Sequence, residues 1–489
     1  MSAIVLHRHL DFILLQGSET PTLTAHTISE NYTHIALGKD AKLLIAKNNP
    51  WSQQTSHAGQ EYTFIGDVFF FDAKSPENSD GHYIAITKYD DKIIIFRNRN
   101  SQTGVYYFSN DKNQIVFSSL FPFYKKFHEK LNINFNEDSL SDFLRYGFIT
   151  FGQTPFKNIS RLPPRHRLQL NKNSFLLCQE AETSIPESIL TNIGELFEFI
   201  QERFHLWLSQ SSFKSIAISG GIDSRFIVAS LLYKPPTNTL IHFHSRKHPL
   251  LSETEDLDVA LGKQIAQLTP HPHTIQCSQD APFAFLSQEP PAIPPVLSGL
   301  YGGEYLGGEL LNLVSLRSFD ENKTQPDSYF ENEVMSQKNS SPFEENVRLK
   351  LDILSHASLC NTYEGAWIHI GEHHNLTLSP FTDTFLMELL GRLRATDLKN
   401  YSLYRKLYSL FPEQLRIIPL NSQMNSYYED YPYPQFGKNP KLVAFNPPPT
   451  MTHISTQAYD LLPSKLKHLA QNNSNMRAFQ KFLDALEIQ

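Results

Sequence analysis

The chain has 489 residues, and at ~150 residues per domain this length predicts two to four domains. A hydrophobic content of 40% excludes a disordered or fibrous chain, while a net charge of −7 and a pI near 6.3 exclude a broadly basic nucleic-acid-binding surface. Three scattered cysteines (Cys178, Cys277, Cys360) offer neither a disulfide framework nor zinc spacing, and no apolar run approaches the ~18 residues of a membrane span.

The start of the chain, MSAIVLHRHLDFILLQGSET, carries charges inside its apolar stretch, which argues against a signal peptide. The expected setting is therefore a reducing, cytoplasmic one, with no nucleic-acid and no membrane partner. From there to about residue 180 the chain reads as short strands. TFIGDVFFF (63–71), HYIAITKY (82–89), KIIIFRNR (92–99), GVYYFS (104–109) and QIVFSSL (114–120) are aromatic or β-branched and are punctuated by Asp, Asn, Gly and Ser. That pattern predicts antiparallel sheet. A helical stretch, SLSDFLRYGF (139–148), precedes the double-proline turn in RLPPRH (161–166).

From about 190 the period changes. ESILTNIGELFEFIQERFHLWLSQ (187–210) spaces its apolar residues at three and four, as an amphipathic helix does. A strand (SIAIS, 215–219), a helix (RFIVASLLY), a strand (TLIHFHS, 239–245) and a helix (252–268) follow, and such alternation predicts a parallel sheet with helices on both faces. Past 350 the chain looks mainly helical, and the Pro-, Asn- and Tyr-rich 421–453 reads as a long loop.

The most informative residues are Ser219-Gly220-Gly221-Ile222-Asp223-Ser224, between a buried-type strand and a helix start. A helix N-terminus presents unpaired N–H groups, two glycines let the backbone close around an anion, and the serines add hydroxyls. Asp223 would repel a bare phosphate, so it points to Mg²⁺ shared with the phosphate. The segment lacks the Lys of a GxxxxGK[ST] loop and is not a GxGxxG turn.

SGGIDS resembles the pyrophosphate loop of the ATP-pyrophosphatase superfamily. Within it the chain resembles the asparagine synthetase-like family, closest in pattern to β-lactam synthetases and lasso-peptide cyclases. Gly66-Asp67-Val68-Phe69 is similar to the "GEIY" strand of that family's class II glutamine amidotransferase domain. Arg97-Asn98-Arg99 with Val105-Tyr106-Tyr107 is similar to "RDR…LYY", and Arg161-Leu162-Pro163-Pro164-Arg165-His166 to "LPPGH". The resemblance implies an α/β protein of two parts. Residues 1–185 would form an αββα N-terminal-nucleophile-like sandwich, a degenerate amidotransferase domain. Residues 186–489 would form a parallel-sheet ATP-pyrophosphatase domain with extra helices.

Glutaminase members begin Met-Cys-Gly, whereas this chain begins Met1-Ser2-Ala3, so no glutaminase activity is expected. The resemblance implies a ligase that uses ATP and Mg²⁺ to adenylate a carboxylate, releases pyrophosphate and transfers the acyl group to an amine. The substrate would be a small molecule or peptide; a homodimer and a pathway-partner protein are both open. ATP would lie on Ser219, Gly220, Gly221, Asp223 and Ser224, with adenine against the backbone of Phe243 and His244. Ser298 to Gly308 resembles "SG[EY]G[AS]D…GG", whose Asp is the second metal ligand. Counted from Ser298, that Asp falls on Gly303; counted as a "YGSD" element, it falls on Glu304. The second register is preferred, giving metal ligands Asp223 and Glu304 and placing Tyr301 where β-lactam synthetases have a catalytic Tyr. Ser379-Pro380-Phe381-Thr382-Asp383 resembles "PFLD", and an offset of sixteen from Pro380 makes Glu364 the partner of that Tyr.

One departure stands out. Leu420 occupies the place of the family's Lys, with Arg416, Lys438 and Lys441 as open substitutes. Asp258 is a weaker candidate in a "D..A" helix. A competing reading is a non-catalytic nucleotide-binding or regulatory relative. Another is a zinc peptidase at His369-Ile370-Gly371-Glu372-His373, although Gly371 weakens the helix that H-x-x-E-H needs.

Overall fold

The computed structural model describes residues 12–17, 32–37, 41–46, 52–57, 60–70, 79–98, 104–118, 120–171, 174–180, 185–209, 215–235, 241–247, 252–254, 256–277, 296–299, 301–308, 326, 328–336, 346–355, 359–360 and 377–420. Its first half is built from β1 (Phe12–Gly17), β2 (Tyr32–Ala36), β3 (Ala41–Ala46), β4 (Ser52–His57), β5 (Gln60–Phe70), β6 (Asp80–Tyr89) and β7 (Lys92–Arg97). It continues with β8 (Tyr106–Ser109), β9 (Asn113–Phe117), β10 (Phe148–Ile149), β11 (Ile159–Arg161), β12 (His166–Leu170) and β13 (Phe175–Gln179). Two antiparallel six-stranded sheets result, ordered β11-β8-β9-β1-β3-β2 and β13-β12-β7-β6-β5-β4.

Strand β1 shows why. In Phe12-Ile13-Leu14-Leu15, successive side chains point to opposite faces. Phe12 and Leu14 join Leu43, Ile45 and Val116 in a layer against Ile65, Ile84, Ile86, Ile95, Leu168 and Leu170 of the other sheet. Ile13 and Leu15 face the opposite way, toward α1 (Leu120–Leu131) and α2 (Glu137–Tyr146), through Phe123, Phe127, Leu140, Phe143 and Leu144. A strand buried on both faces reads as an unbroken apolar run. The outer face of the second sheet carries an aromatic group, Tyr62, Phe64, Tyr83 and Phe96.

After β13 the architecture changes. The expected helix over 187–210 is two helices, α3 (Glu187–Thr191) and α4 (Ile193–Leu208), because Asn192 leaves the helical conformation and its side chain caps α4 by accepting from the Gly194 and Glu195 N–H groups. The later strands are β14 (Ser215–Ala217), β15 (His242–Lys247), β16 (His273–Cys277), β17 (Val296–Leu297), β18 (Leu359–Cys360) and β19 (Thr377–Leu378). All but β18 form one parallel sheet, ordered β16-β15-β14-β17-β19. Helix α5 (Ile222–Tyr233) follows β14 and α6 (Leu257–Ala266) follows β15. The expected start at 252 moves to 257, where Asp256 caps α6 by accepting from the Val259 N–H. Phe204 and Trp207 of α4, Ile216 of β14, Phe226 and Ile227 of α5 and Phe243 of β15 share one core.

The remaining helices are α7 (Gly302–Tyr305), α8 (Tyr329–Ser336), α9 (Val347–Ser355), α10 (Thr384–Leu390), α11 (Ala395–Leu398), α12 (Ser402–Tyr408) and α13 (Glu413–Arg416). Several contacts join the two halves. Strand β10 pairs with β18, and Phe330, Val334, Leu349 and Ile353 pack on Tyr146 and Phe148. The Asp142 carboxylate accepts from the Phe330 N–H at 3.0 Å, and the Tyr146 hydroxyl donates to Glu331 at 2.6 Å. Burial is the main reason the Asp142 carboxyl is pushed up to about 6. Thr384 Oγ1, at the start of α10, donates to Asn98 Oδ1 at 2.9 Å, and Arg165 pairs with Asp352 at 2.7 Å. Among the described residues, no helix is long and apolar enough to cross a membrane.

Candidate functional site

The order of the parallel sheet singles out one place. From β14 the chain moves outward through β15 and β16, then crosses back to add β17 and β19 on the other side of β14. Loops leaving the C-terminal ends of β14 and β17 therefore diverge from a topological switch point, where sheets of this kind hold their ligands. Those two loops are the glycine-rich segments singled out in the sequence.

The loop after β14 is ordered by its own side chains. The Ser219 N–H donates to Ser224 Oγ at 3.1 Å, the two serine hydroxyls are 2.9 Å apart, and the Gly221 N–H donates to Ser219 Oγ at 3.2 Å. The Gly220 N–H donates to Asp258 Oδ1 at 3.2 Å, which brings the weaker sequence candidate onto the loop itself. Gly221 caps α5 without a side-chain hydrogen bond, at a helix N-terminus of the kind that attracts anions.

Asp223, in the first turn of α5, lies at the seam between the loops, with Oδ1 enclosed from solvent. A Cβ on Gly299 would sit 2.6 Å from the Asp223 carbonyl carbon and 2.7 Å from the Ser224 nitrogen. One on Gly302 would collide with Asp223 Oδ1 and lie 2.8 Å from the Tyr404 hydroxyl. Glycines at these positions are what allow the β17 loop to reach the carboxylate.

Tyr301 precedes α7 with φ +73°, in the left-handed region, and its ring is in the core, 2% exposed and stacked on Tyr305 at 5.3 Å. Glu304 belongs to α7, with only its backbone described. Phe243 and His244 are in the first half of β15, which runs on to Lys247, instead of at its end. The Phe243 N–H donates to Pro272 O and the His244 carbonyl accepts from the Ile218 N–H, both at 2.8 Å. His244 Nε2 and Nδ1 contact Ser215 Oγ at 3.1 Å and Thr274 Oγ1 at 2.8 Å. Ser2, Glu364, His369 to His373, Lys438 and Lys441 lie outside the described residues.

Leu420 is buried in the core of the second half, and Arg416 donates from Nε to Phe411 O at 3.0 Å. Asp383 is a structural anchor. Its carboxylate caps α10 and accepts from Arg203 and Trp207.

Two residues escaped the sequence reading. Tyr404 stacks on Phe226 at 5.3 Å and brings a buried hydroxyl to Gly302. Arg225 is 0% exposed in α5. Its Nη2 donates to Gly220 O at 3.1 Å and to Pro419 O, while Nη1 donates to Leu415 O at 3.0 Å, Ile418 O at 2.5 Å and the Tyr408 hydroxyl at 3.3 Å. The sequence did hold a signal for it. An Arg directly before the largely apolar run FIVASLL of a buried helix must find acceptors in the interior.

The fold and site thus define a mixed α/β protein, with two antiparallel sheets and a parallel sheet carrying paired glycine-rich loops at its switch point. Comparison of the chain with known protein families and with curated proteins gives no match. Among the described residues, no three His, Cys, Asp or Glu side chains form a group that could hold a metal ion. At the seam, the Asp223 carboxylate is a hard oxygen donor of the kind Mg²⁺ accepts when phosphates complete its shell, with the Tyr404 hydroxyl against the same Gly302 position.

Proposed function

We propose that the chain is an asparagine synthetase-like ligase that adenylates a carboxylate at the expense of ATP and passes the acyl group to an amine. Its first half would be an N-terminal-nucleophile-like sandwich without glutaminase chemistry, and its setting cytoplasmic. The observation that carries the reading is the switch-point position of the two glycine-rich loops, with Asp223 wedged between them. A second observation supports it. The resembled patterns have glycine at the position of Arg165 and, when the second loop is counted from Ser298, at that of Tyr301, and both residues adopt left-handed φ, +54° and +73°. The backbone keeps a conformation that favours glycine after the glycine itself has gone.

On this reading the 219–224 loop holds the β- and γ-phosphates through N–H groups at the start of α5. Mg²⁺ held by Asp223 would neutralise phosphate charge when bound. A substrate carboxylate oxygen attacks the α-phosphorus, and the bond to the bridging oxygen breaks, so pyrophosphate leaves with that electron pair. The amine nitrogen then attacks the acyl carbon, the bond to AMP breaks, and the amine loses a proton. Positioning would supply most of the rate. With its ring in the core, Tyr301 supports the loop in this proposal, and the candidate hydroxyl beside Asp223 is that of Tyr404.

The left-handed Tyr301 also favours counting the second loop from Ser298, which puts Gly303 where the pattern has its second carboxylate. Together with the buried Leu420, this favours a second reading, nucleotide binding without amide formation. Pyrophosphate release from Mg·ATP, screened over carboxylates and amines, separates the two. Asp223→Ala is expected to abolish release with the thermal midpoint unchanged; an unchanged rate would refute the role given to Asp223.

A further inference from the structure

We infer that Arg225 is a positioning residue coupling occupancy of the 219–224 loop to the 412–420 turn, through the peptide bond between Gly220 and Gly221. The inference rests on the nucleotide-binding reading of that loop and goes beyond it by naming how binding there would be felt elsewhere.

A trans peptide points its C=O and its N–H in opposite directions. The Arg225 guanidinium holds the Gly220 carbonyl, so the Gly221 N–H on the same peptide must face away from it, where it now donates to Ser219 Oγ. A cation on the carbonyl end also polarises the peptide and makes its N–H a stronger donor to an anion. Turning this peptide to meet a phosphate therefore moves the acceptor that Arg225 holds.

The same guanidinium grips the segment after α12. Leu415 O and Ile418 O accept from Nη1, which also meets the Tyr408 hydroxyl, while Pro419 O accepts from Nη2, the nitrogen that holds Gly220 O. These carbonyls come at and just past α13, where a helix end offers unpaired acceptors and partial negative charge. The guanidinium is rigid and planar, so a displacement at Gly220 cannot be absorbed without moving the turn. That turn ends at Leu420, the place where the resembled family carries its Lys. A buried cation five residues beyond Gly220 thus connects two segments that the chain separates by about 190 residues.

Hydrogen exchange on the full-length protein tests the coupling without any substitution. Saturating Mg·ATP is expected to slow exchange at both 219–224 and 413–420. Protection confined to 219–224 would overturn the inference and leave the nucleotide-binding reading standing. Arg225→Lys keeps the charge but cannot span both ends. Its calorimetric affinity for Mg·ATP should fall about tenfold, or about 1.4 kcal/mol, with AMP affinity within about twofold of the parent. An unchanged Mg·ATP affinity overturns the inference, and so does an equal loss for AMP, which marks general damage. A parent protein that takes up no nucleotide overturns this inference and the reading beneath it together.

Discussion

Asp383→Ala removes a carboxylate that ties α4 to the start of α10. Asp383 is fully buried, and its two oxygens accept from Arg203 Nε at 3.1 and 3.2 Å, Arg203 Nη2 at 2.9 Å and Trp207 Nε1 at 3.1 Å. Oδ1 also accepts from the Phe385 and Leu386 N–H groups, both at 3.1 Å, which caps α10. Breaking a buried ion pair by deleting one partner costs about 3–5 kcal/mol, because the other charge stays buried; Arg203 is only 14% exposed. Loss of the cap adds about 1 kcal/mol. The terms overlap on one carboxylate, so a total of about 4 kcal/mol is expected. Asp383→Asn keeps a cap acceptor and loses the charge, and should fall between the parent and the alanine variant. Urea denaturation at constant slope reads both from the shift in midpoint. An Asp383→Ala midpoint within about 1 kcal/mol of the parent would refute the anchoring role, and an asparagine variant as weak as alanine would refute the partition between charge and cap.

Gly302→Ala places a methyl group against Asp223 Oδ1 and the Tyr404 hydroxyl, so overpacking should cost about 1–3 kcal/mol and weaken Mg·ATP binding measured by calorimetry. A fully active, fully stable alanine variant would show that the two loops do not meet over this α-carbon. For Asp142, the folded-state carboxyl is raised from the ordinary 3.8 to about 6, so the native state holds the proton more tightly than the unfolded one. Its contribution is complete below pH 4 and is lost as pH rises through 6, up to about 3 kcal/mol. Asp142→Asn retains an acceptor for the Phe330 N–H and carries no charge. It should therefore be more stable than the parent above pH 6, with the gain vanishing toward pH 4 in parallel urea titrations; a gain independent of pH would contradict the burial argument.

Much of the first half was legible because strands that bury one or both faces write their period into the chain. The segments 63–71, 82–89 and 92–99 fall within or over β5, β6 and β7 for that reason. The strand–loop–helix at 215–233 was equally plain, since a buried strand, two glycines and an apolar helix leave few alternatives. Strands β17 and β19 were not, because two residues carry no period, and only the sheet order places the second glycine loop beside the first. The break at Asn192 was masked by apolar spacing that runs through it, although its capping side chain was in view. For the site, local composition found Ser219 to Ser224 but not Tyr404 or Arg225, whose partners are remote in sequence. The expected ends of β15 shifted toward Lys247, and with them the place of Phe243 and His244.

The bond from Thr384 to Asn98 has a bearing on ancestry. It ties the tip of a strand in the first half to the opening turn of α10, one residue from the carboxylate that Arg203 clamps. Trading the front half for one from a distant lineage would therefore disturb a helix start deep in the rear half. Such a seam favours inheritance of both halves as a matched pair, so that changes on one side select compensations on the other.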